Sequence, residues 1–267
     1  MAHLNRKIDI PSFDLTGKTA IITGGTQGLG FGMACALAAY GCNVVITART
    51  ASKVEDAVAD LNENYCKGGR AFGIPADSSK LENVKMVIEK TVEEFGELNI
   101  LINNAGMYPA MLVTDVTEKH FDRVIAVNLK GTFFVTQAVV NQSMIPNNYG
   151  RIVNVSSIHG FVSRKNVWTA PYCASKGGVH MMTKAMANDW GKYNITVNCI
   201  APGYFPTELT EKFIDSDAFV QLHKDRCPKE RHGILGEMDG LCVYFAAPCC
   251  TYTTGQIVAV DGGWTCN

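Results

Sequence analysis

Seven short runs rich in β-branched and other apolar residues alternate with helix-length stretches along the chain from Lys18 onward. The runs are continuously apolar, which is typical of strands buried on both faces of a parallel sheet. Strand–helix alternation of this kind builds right-handed crossovers. The sequence therefore predicts the α/β class: a single doubly wound (Rossmann) domain with a seven-stranded parallel sheet and helices on both faces. The predicted strands are Thr19–Thr23, Asn43–Thr47, Arg70–Ile74, Leu98–Ile102, Arg151–Ser156, Thr196–Ile200 and Gln256–Val260, and the predicted helices are Phe31–Tyr40, Lys53–Glu63, Leu81–Phe95, Phe121–Val140, Ala174–Trp190 and Gly236–Ala247.

Length and composition are those of one globular domain. Of the 267 residues, 47% are hydrophobic, which is enough for one sizeable core. We expect this domain to span residues 15–267, after an N-terminal tail of residues 1–14. The formal net charge is −1 and the basic residues are scattered. This distribution argues against nucleic acid or an acidic membrane surface as a partner.

Neither targeting signals nor metal motifs stand out. Arg6 and Lys7 are not followed by the apolar stretch of a signal peptide, and no run of about 18 apolar residues indicates a membrane span. The ten cysteines include no C-x-x-C pair and no cysteine–histidine cluster with the spacing of a zinc site. We interpret them as small core residues in a reducing compartment rather than as redox or metal-binding groups. The sequence predicts a soluble, cytoplasmic protein without a metal site.

A glycine-rich loop, Thr23–Gly30, follows the first predicted strand and opens the first predicted helix. Its glycines permit a tight turn, a close approach of the backbone to a pyrophosphate and close packing of the helix on the strand. The free N–H groups of the helix N-terminus would then face the phosphates. A purely structural turn is the alternative. We predict a dinucleotide cradle made of Gly24, Thr26, Gln27, Gly28, Leu29 and Gly30.

The end of the second predicted strand indicates which dinucleotide binds. Enzymes that use NAD place Asp or Glu there to hold the ribose 2′-hydroxyl, whereas this chain has Ala48 and then Arg49. A charge-assisted hydrogen bond from an arginine to a 2′-phosphate is worth roughly 1.5–3 kcal/mol. The alternative is that Arg49 is an exposed residue without a ligand. The prediction is NADP(H).

Tyr172 and Lys176 are four residues apart, and therefore on one face of a predicted helix. An ammonium about 4–5 Å from a phenol favours the phenolate, so we expect Lys176 to lower the pKa of Tyr172 toward neutral and make it a general acid/base. Ser157, at the end of a predicted strand, is expected to hydrogen-bond the substrate oxygen. Asn128 is expected to hold a water that links Lys176 to solvent.

Taken together, these motifs resemble the short-chain dehydrogenase/reductase family over almost the whole chain. The matching residues are the Thr23–Gly30 loop, Asp77, Asn103–Gly106, Asn128, Ser157, Tyr172, Lys176, Pro202, Gly203 and Thr207. The resemblance implies that Asp77 binds the adenine end of the cofactor and that Asn104, Ala105 and Gly106 flank the adenosine ribose. It further implies that the nicotinamide lies against Pro202, Gly203, Phe205 and Thr207, with Tyr172 and Lys176 also contacting the cofactor. A strand order of 3-2-1-4-5-6-7 and a homotetramer are implied as well.

The substrate is indicated less directly. The stretch Ile200–Thr210 resembles the gluconate 5-dehydrogenase branch, which handles sugar acids. Members of that branch tend to carry arginine after the Asn-Asn-Ala-Gly motif, where this chain has the uncharged stretch Met107–Met111. The interval from Ser157 to Tyr172 is also longer than usual in the family. It adds Phe161, Val162 and Trp168, and residues 204–231 form an expected lid over the strand ends.

From these apolar residues we expect a large, soft pocket suited to a hydroxysteroid or bile acid, lined by Met107, Tyr108, His159, Trp168 and Tyr204. The alternatives are that some of them pack the lid on the body of the domain and that His159 caps the loop. A sugar-acid or polyol dehydrogenase of the gluconate 5-dehydrogenase type is the alternative. Four basic residues are interpreted as solvated surface charge, with binding of a substrate carboxylate as the alternative: Arg164, Lys165, Arg226 and Arg231. A non-catalytic NADP(H)-binding sensor is a third possibility, and the intact Tyr172, Lys176, Ser157 and Asn128 favour an enzyme.

Overall fold

A computed structural model describes residues 10–165 and 168–266 of the chain. Seven strands form one sheet in the order β3-β2-β1-β4-β5-β6-β7, and every neighbouring pair is parallel. The fold class and the strand order are confirmed. The strands are β1 (Thr19–Thr23), β2 (Asn43–Ala48), β3 (Ala71–Pro75), β4 (Ile100–Asn103), β5 (Gly150–Val155), β6 (Ile195–Pro202) and β7 (Ile257–Val260).

Helices cover both faces of this sheet. They are α1 (Gly28–Ala39), α2 (Ala51–Asp60), α3 (Leu81–Phe95), α4 (Glu118–Ile125), α5 (Thr132–Val139), α6 (Ala170–Trp190), α7 (Asp217–Arg226) and α8 (Asp239–Ala246). Consecutive strand residues point to opposite faces, so Ile22 packs in a core with α1 and α8, whereas Ile21 packs in a second core with α3, α5 and α6. Both faces are buried, which explains the continuously apolar strands.

The predicted helix Phe121–Val140 is part of a longer helical stretch, Glu118–Met144, in which π-helical turns at Ala126–Gly131 and Val140–Met144 follow α4 and α5. By length and composition this stretch is apolar enough to cross a membrane. Its apolar residues Val135, Val139 and Met144 are buried in the second core, however, as expected of a core helix. The first π-helical turn carries Asn128, and such turns often occur at functional sites.

Several boundaries differ from the sequence-based ones. Helix α6 begins at Ala170 rather than Ala174, because Pro171 occupies the first turn, where its missing N–H costs nothing. The segment 204–231, called the lid segment below, contains α7, which was not separately predicted. All ten cysteines are free, and burial raises the pKa of Cys35 and Cys199 to about 12. Across the described residues, no cluster of histidine, cysteine and acidic side chains has the arrangement of a metal site.

Candidate active site

A cavity of about 590 Å³ opens at the carboxyl ends of the strands. This position is the usual ligand site of a doubly wound sheet. The cavity is lined by all fifteen residues that were predicted to bind the cofactor without a catalytic role, and also by Ser157, Tyr172 and Lys176. Asn128 lies behind the wall, and Trp168 lies outside the lining. The structure therefore brings most of the predicted site together in one space.

The glycine loop has the geometry of a phosphate cradle. Gly24 and Gly28 have φ of +65° and +55°, which only glycine adopts readily. A Cβ on Gly30 would lie 2.2 Å from the Gly24 carbonyl oxygen, so the turn leaves no room for a side chain there. Gln27 is the N-cap residue of α1 in an extended conformation, its side chain makes no capping hydrogen bond to the helix, and no acidic residue occupies the first turn. The first N–H groups of α1 therefore lack side-chain caps and can bind an anion.

Asn104 holds this loop in shape. Its amide nitrogen donates to the carbonyl oxygens of Thr23 and Gly24, at 3.1 and 2.9 Å. The Thr23 hydroxyl accepts hydrogen bonds from the backbone N–H groups of Asn104 and Ala105, at 3.0 and 3.1 Å. The Asn104 side chain thus joins the end of β4 to the glycine loop.

Two cations lie at the adenosine end of the cavity. Arg49 is exposed after β2 and lies near Asp77. Burial raises the pKa of the Asp77 carboxylate, but the hydrogen bonds from Ser79 and, to a smaller extent, the charge of Arg49 bring this pKa below its usual value. Lys53, in the first turn of α2, was not singled out from the sequence. Its ammonium lies 3.3 Å from Glu208 and 3.1 Å from the Gln27 side-chain oxygen, and Gln27 also hydrogen-bonds Glu208. The sequence could have indicated Lys53 as a cofactor-binding residue, because it follows Arg49 by four residues, about one helical turn.

Tyr172 and Lys176 lie in the first turns of α6 and face the same cavity. Ser157, just after β5, hydrogen-bonds the Tyr172 phenol. The Lys176 ammonium donates to the carbonyl oxygen of Val155 at 2.9 Å and lies 5.7 Å from the centre of the Tyr172 ring. A phenol, a hydroxyl and an ammonium are thus placed together, as proton transfer to a carbonyl oxygen requires.

The expected lowering of the Tyr172 pKa is wrong. Burial raises the pKa of Tyr172 to about 12, and the hydrogen bond from Ser157 only partly opposes the rise. Burial also lowers the pKa of Lys176 to about 8. The sequence indicates the charge of Lys176 but not the burial of the two groups: the phenol is desolvated, and Lys176 is buried and hydrogen-bonded to the Val155 carbonyl. Tyr172 is therefore a proton donor at neutral pH.

The Asn128 side chain is hydrogen-bonded to Met107 and Ser175. Its side-chain oxygen accepts from the Met107 N–H at 2.9 Å, and its amide nitrogen donates to the Met107 carbonyl at 3.0 Å and to the Ser175 hydroxyl at 3.1 Å. These bonds hold the segment after β4 against α6. A role for Asn128 in proton relay stays a prediction.

Hydrogen-bonding side chains surround the substrate end of the cavity. The ring of Tyr108 meets that of Tyr172 edge to face with centroids 4.8 Å apart, and His159 lies 6.1 Å from Tyr172. The Tyr204 hydroxyl is 3.3 Å from Nε2 of His159. Three phenols and an imidazole therefore share this end with Met107.

The described residues of the β5–α6 loop (residues 156–169) do not form the expected apolar slot. Trp168, 51% exposed, and Phe161, 48% exposed, are absent from the cavity lining, so assigning Trp168 to the substrate is wrong. The Trp168 carbonyl accepts from the Met111 N–H at 2.9 Å, and the Phe161 ring packs on His180 at 4.3 Å. These contacts hold Trp168 and Phe161 away from the cavity, whereas Ser157 and His159 of the same loop line it. Its residues Asn166 and Val167 lie outside the described part of the chain.

The basic residues considered for a substrate carboxylate have different surroundings. Lys165 is exposed, and exposed Arg231 pairs with Glu237 at 2.6 Å. Arg164 is instead half-buried, with its guanidinium 5.7 Å from the centre of the Phe219 ring. Interpreting Arg164 as solvated surface charge is therefore wrong.

The model of the short-chain dehydrogenase family matches residues 18–218. The chain belongs to this family of oxidoreductases. It is 34% identical over 255 residues to a 2-dehydro-3-deoxy-D-gluconate 5-dehydrogenase of Escherichia coli, covering 96% of this chain and 98% of the relative. It is 35% identical over 253 residues to a gluconate 5-dehydrogenase of Gluconobacter oxydans, covering 95% and 96%.

Among solved structures, a gluconate 5-dehydrogenase from Burkholderia cenocepacia in complex with NADP and tartrate is similar throughout. Its TM-score is 0.88 at 33% identity, with 96% of this chain and 98% of that chain covered. A short-chain alcohol dehydrogenase structure from Sinorhizobium meliloti has a TM-score of 0.90 at 35% identity, with 96% and 100% covered. The similarity to gluconate dehydrogenases agrees with the resemblance found in the sequence.

Proposed function

We propose that this chain is an NADP(H)-dependent oxidoreductase that interconverts a secondary alcohol and a ketone on a small sugar acid of the gluconate type. The observation that carries the proposal is the polar substrate end, where Tyr108, Tyr204 and His159 surround Tyr172. A polyhydroxylated substrate needs paired hydrogen bonds when it is buried, and these groups can supply them. The related proteins named for gluconate support the same substrate class.

The cofactor proposal rests on the cradle and the two cations. The cradle around Gly30 fits a pyrophosphate because it presents backbone N–H groups and excludes side chains. Arg49 and Lys53 supply the positive charge that suits a 2′-phosphate. A similar solved structure is described as holding NADP. When bound, NADP(H) supplies or accepts the hydride of the reaction.

The chain's own groups handle the proton. In ketone reduction, Tyr172 donates its phenolic proton to the carbonyl oxygen, while Ser157 hydrogen-bonds that oxygen and orients it. Lys176 is held by Val155 so that its ammonium faces the Tyr172 ring and the cofactor side of the cavity. In alcohol oxidation, the deprotonated phenol accepts the proton. The relay from Lys176 to solvent past Asn128 remains part of this proposal.

The walls of the cavity favour a sugar acid over a steroid. Phe161 and Trp168, on which the steroid interpretation depended, do not line it. Without them, a fused ring system would gain little from apolar burial.

Assembly and the lid are proposals from the family resemblance. Phe121, Phe133 and Met181 are exposed on the helices α4 to α6, at 43%, 38% and 63%, as expected of surfaces that pair in a homotetramer. The lid segment (residues 204–231) contributes Tyr204, Phe205 and Thr207 to the cavity wall, and we propose that it covers the bound substrate. Light scattering after size-exclusion chromatography measures the assembly.

Absorbance at 340 nm tests the function directly. NADPH consumption is measured with a panel of keto-sugar acids, uncharged ketoses and keto-bile acids, beside the Tyr172→Phe variant as a control for chemistry at this site. We expect the wild type to consume NADPH with a keto-sugar acid and the variant to be inactive. A wild type that binds NADPH but reduces no ketone would instead support the non-catalytic sensor.

A further inference from the structure

Arg164 is a desolvated cation that has no anionic partner among the residues that the structure describes. Its side chain is half-buried in the β5–α6 loop, and Nη1 is wholly buried with no hydrogen-bond partner. The ion pairs formed among the described residues do not include Arg164. Burying a charge without an anion is unfavourable, so this site is poised to be stabilised by one.

The groups around Arg164 are those of the substrate end. Its guanidinium hydrogen-bonds the Tyr204 phenol and lies close enough to Tyr108 to act on its pKa. Burial, with a contribution from Arg164, lowers the pKa of both His159 and His223, so both imidazoles are neutral at pH 7. Burial also raises the pKa of Tyr204, which keeps that phenol protonated. Arg164 therefore supplies the positive charge of this group.

Negative charge is confined to the other end of the cavity. Its acidic lining residues are Asp77 and Glu208, which face Arg49 and Lys53 at the cofactor end. The substrate end thus combines a buried guanidinium with neutral hydrogen-bond donors, and the low dielectric of an enclosed site strengthens attraction to an anion.

We propose that Arg164 and Tyr204 together recognise the carboxylate of the substrate. Tyr204 lines the cavity, and in this proposal its hydroxyl contacts the carboxylate, while Arg164, behind it, polarises this hydroxyl and supplies the charge. Arg164 of the β5–α6 loop would thus take the role of the arginine that sugar-acid dehydrogenases tend to carry where this chain has Met107–Met111. The inference rests on the proposed sugar-acid function and adds a specificity-determining pair to it.

Tyr204 is well placed for this task because its ring is fixed on several sides. Its centroid lies 4.9 Å from Phe219 and 5.1 Å from Trp264, and its hydroxyl also meets His159. Arg164 packs on Phe219 as well. The pair is therefore anchored on α7 of the lid segment, and a bound carboxylate would tie the β5–α6 loop to the lid segment.

Substrates that differ in charge separate this role from a structural one. Steady-state kinetics are measured on 5-ketogluconate and on the uncharged ketohexose L-sorbose for the wild type and for Arg164→Met, Arg164→Lys and Lys165→Met. Lys165→Met is the matched control, because it removes an exposed charge from the same loop. The Kd for NADPH is followed by fluorescence titration.

We expect Arg164→Met to raise KM for 5-ketogluconate about ten-fold or more, because it removes the buried positive charge that attracts the carboxylate. The kcat on this substrate, the Kd for NADPH and the kinetics with L-sorbose should change less than about two-fold. Arg164→Lys should recover part of the loss, and Lys165→Met should behave as wild type. Equal losses on both substrates, or no loss on either, would overturn the carboxylate role.

Failure of the function itself gives a different result. If the wild type reduces no sugar acid, the proposed function fails, and binding of the probe dicarboxylate tartrate to the NADPH-loaded protein then tests the pair by calorimetry. Binding by the wild type and by Lys165→Met, but at least about ten-fold weaker binding by Arg164→Met, would support the pair as a carboxylate site. Equal binding by all three would overturn it.

Discussion

The ammonium of Lys176 lies 5.7 Å from the centre of the Tyr172 ring, and its hydrogen bond goes to the Val155 carbonyl at 2.9 Å. Their spacing in α6 places the two side chains on one helix face, but the end of β5 determines where the lysine nitrogen bonds. Burial then raises the pKa of Tyr172 and lowers that of Lys176. The pair is consequently arranged to give a proton rather than to hold a phenolate at neutral pH.

This arrangement predicts different pH profiles in the two directions. Ketone reduction requires protonated Tyr172, and a pKa near 12 keeps that proton throughout the neutral range. Alcohol oxidation requires the phenolate, so kcat/KM for oxidation should continue to rise from pH 7 to pH 10. Initial rates in both directions across this range check the prediction. A plateau of the oxidation rate already at pH 7 would show that the Tyr172 pKa is lowered after all.

Removal of the Tyr172 hydroxyl should abolish chemistry while leaving the cofactor site intact. Tyr172→Phe is expected to reduce kcat at least about a hundred-fold, the low end of the contribution of general acid–base catalysis. The Kd for NADPH should remain within about two-fold. Tyr108→Phe is the matched control, because its ring lies beside that of Tyr172 without the hydrogen bond from Ser157. Comparable losses of kcat in both variants would exclude Tyr172 as the particular proton donor.

The cations after β2 should determine the choice of cofactor. Arg49→Ala is expected to weaken NADPH binding about ten-fold and to leave NADH binding nearly unchanged, because only the former carries the 2′-phosphate. Lys53→Met should have a smaller effect, since Glu208 and Gln27 already engage that ammonium. Fluorescence titration of the wild type and both variants with each nucleotide measures the six affinities. A wild type that prefers NADH would contradict the assignment whatever the variants do.

The sequence anticipated features that depend on local chemistry. Continuous apolar runs predicted the strands because both faces of the sheet are buried, and the glycines of the Thr23–Gly30 loop predicted a turn whose geometry excludes side chains. Contacts between residues far apart in the chain could not be predicted from the sequence. The hydrogen bond of Trp168 with Met111 holds Trp168 outside the cavity, whereas the packing of Arg164 on Phe219 brings that charge to the substrate end. Neither contact has a signal in periodicity or spacing.

A buried acid outside the site gives a stability test. Oδ1 of Asp239, at the start of α8, is buried without a hydrogen-bond partner, and burial raises the pKa of Asp239 to about 6. Because the pKa of Asp239 is higher in the folded state than in the unfolded state, where it is near 3.9, protonated Asp239 favours folding at low pH. This contribution to the free energy of unfolding is lost as the pH rises through about 6. Asp239→Asn should therefore raise Tm at pH 8 more than at pH 5.

Asp217→Asn serves as the control in those melts, because Asp217 is the exposed first residue of α7 and occupies the same helical position as Asp239 in α8. It should slightly lower Tm through loss of a favourable charge at a helix N-terminus, by a similar amount at pH 5 and pH 8. If Asp239→Asn changed Tm equally at pH 5 and pH 8, titration of Asp239 would not be the cause.

Substrate preference tests the central claim most directly. The measurement is kcat/KM of the wild type with saturating NADPH on 5-ketogluconate and on a 3-keto bile acid, both of which carry a carboxylate and differ in apolar bulk. The polar substrate end formed by Tyr108, Tyr204 and His159 predicts at least a roughly ten-fold preference for the sugar acid, since its hydroxyls find partners there. A ten-fold or greater preference for the bile acid would contradict the account and restore the apolar pocket.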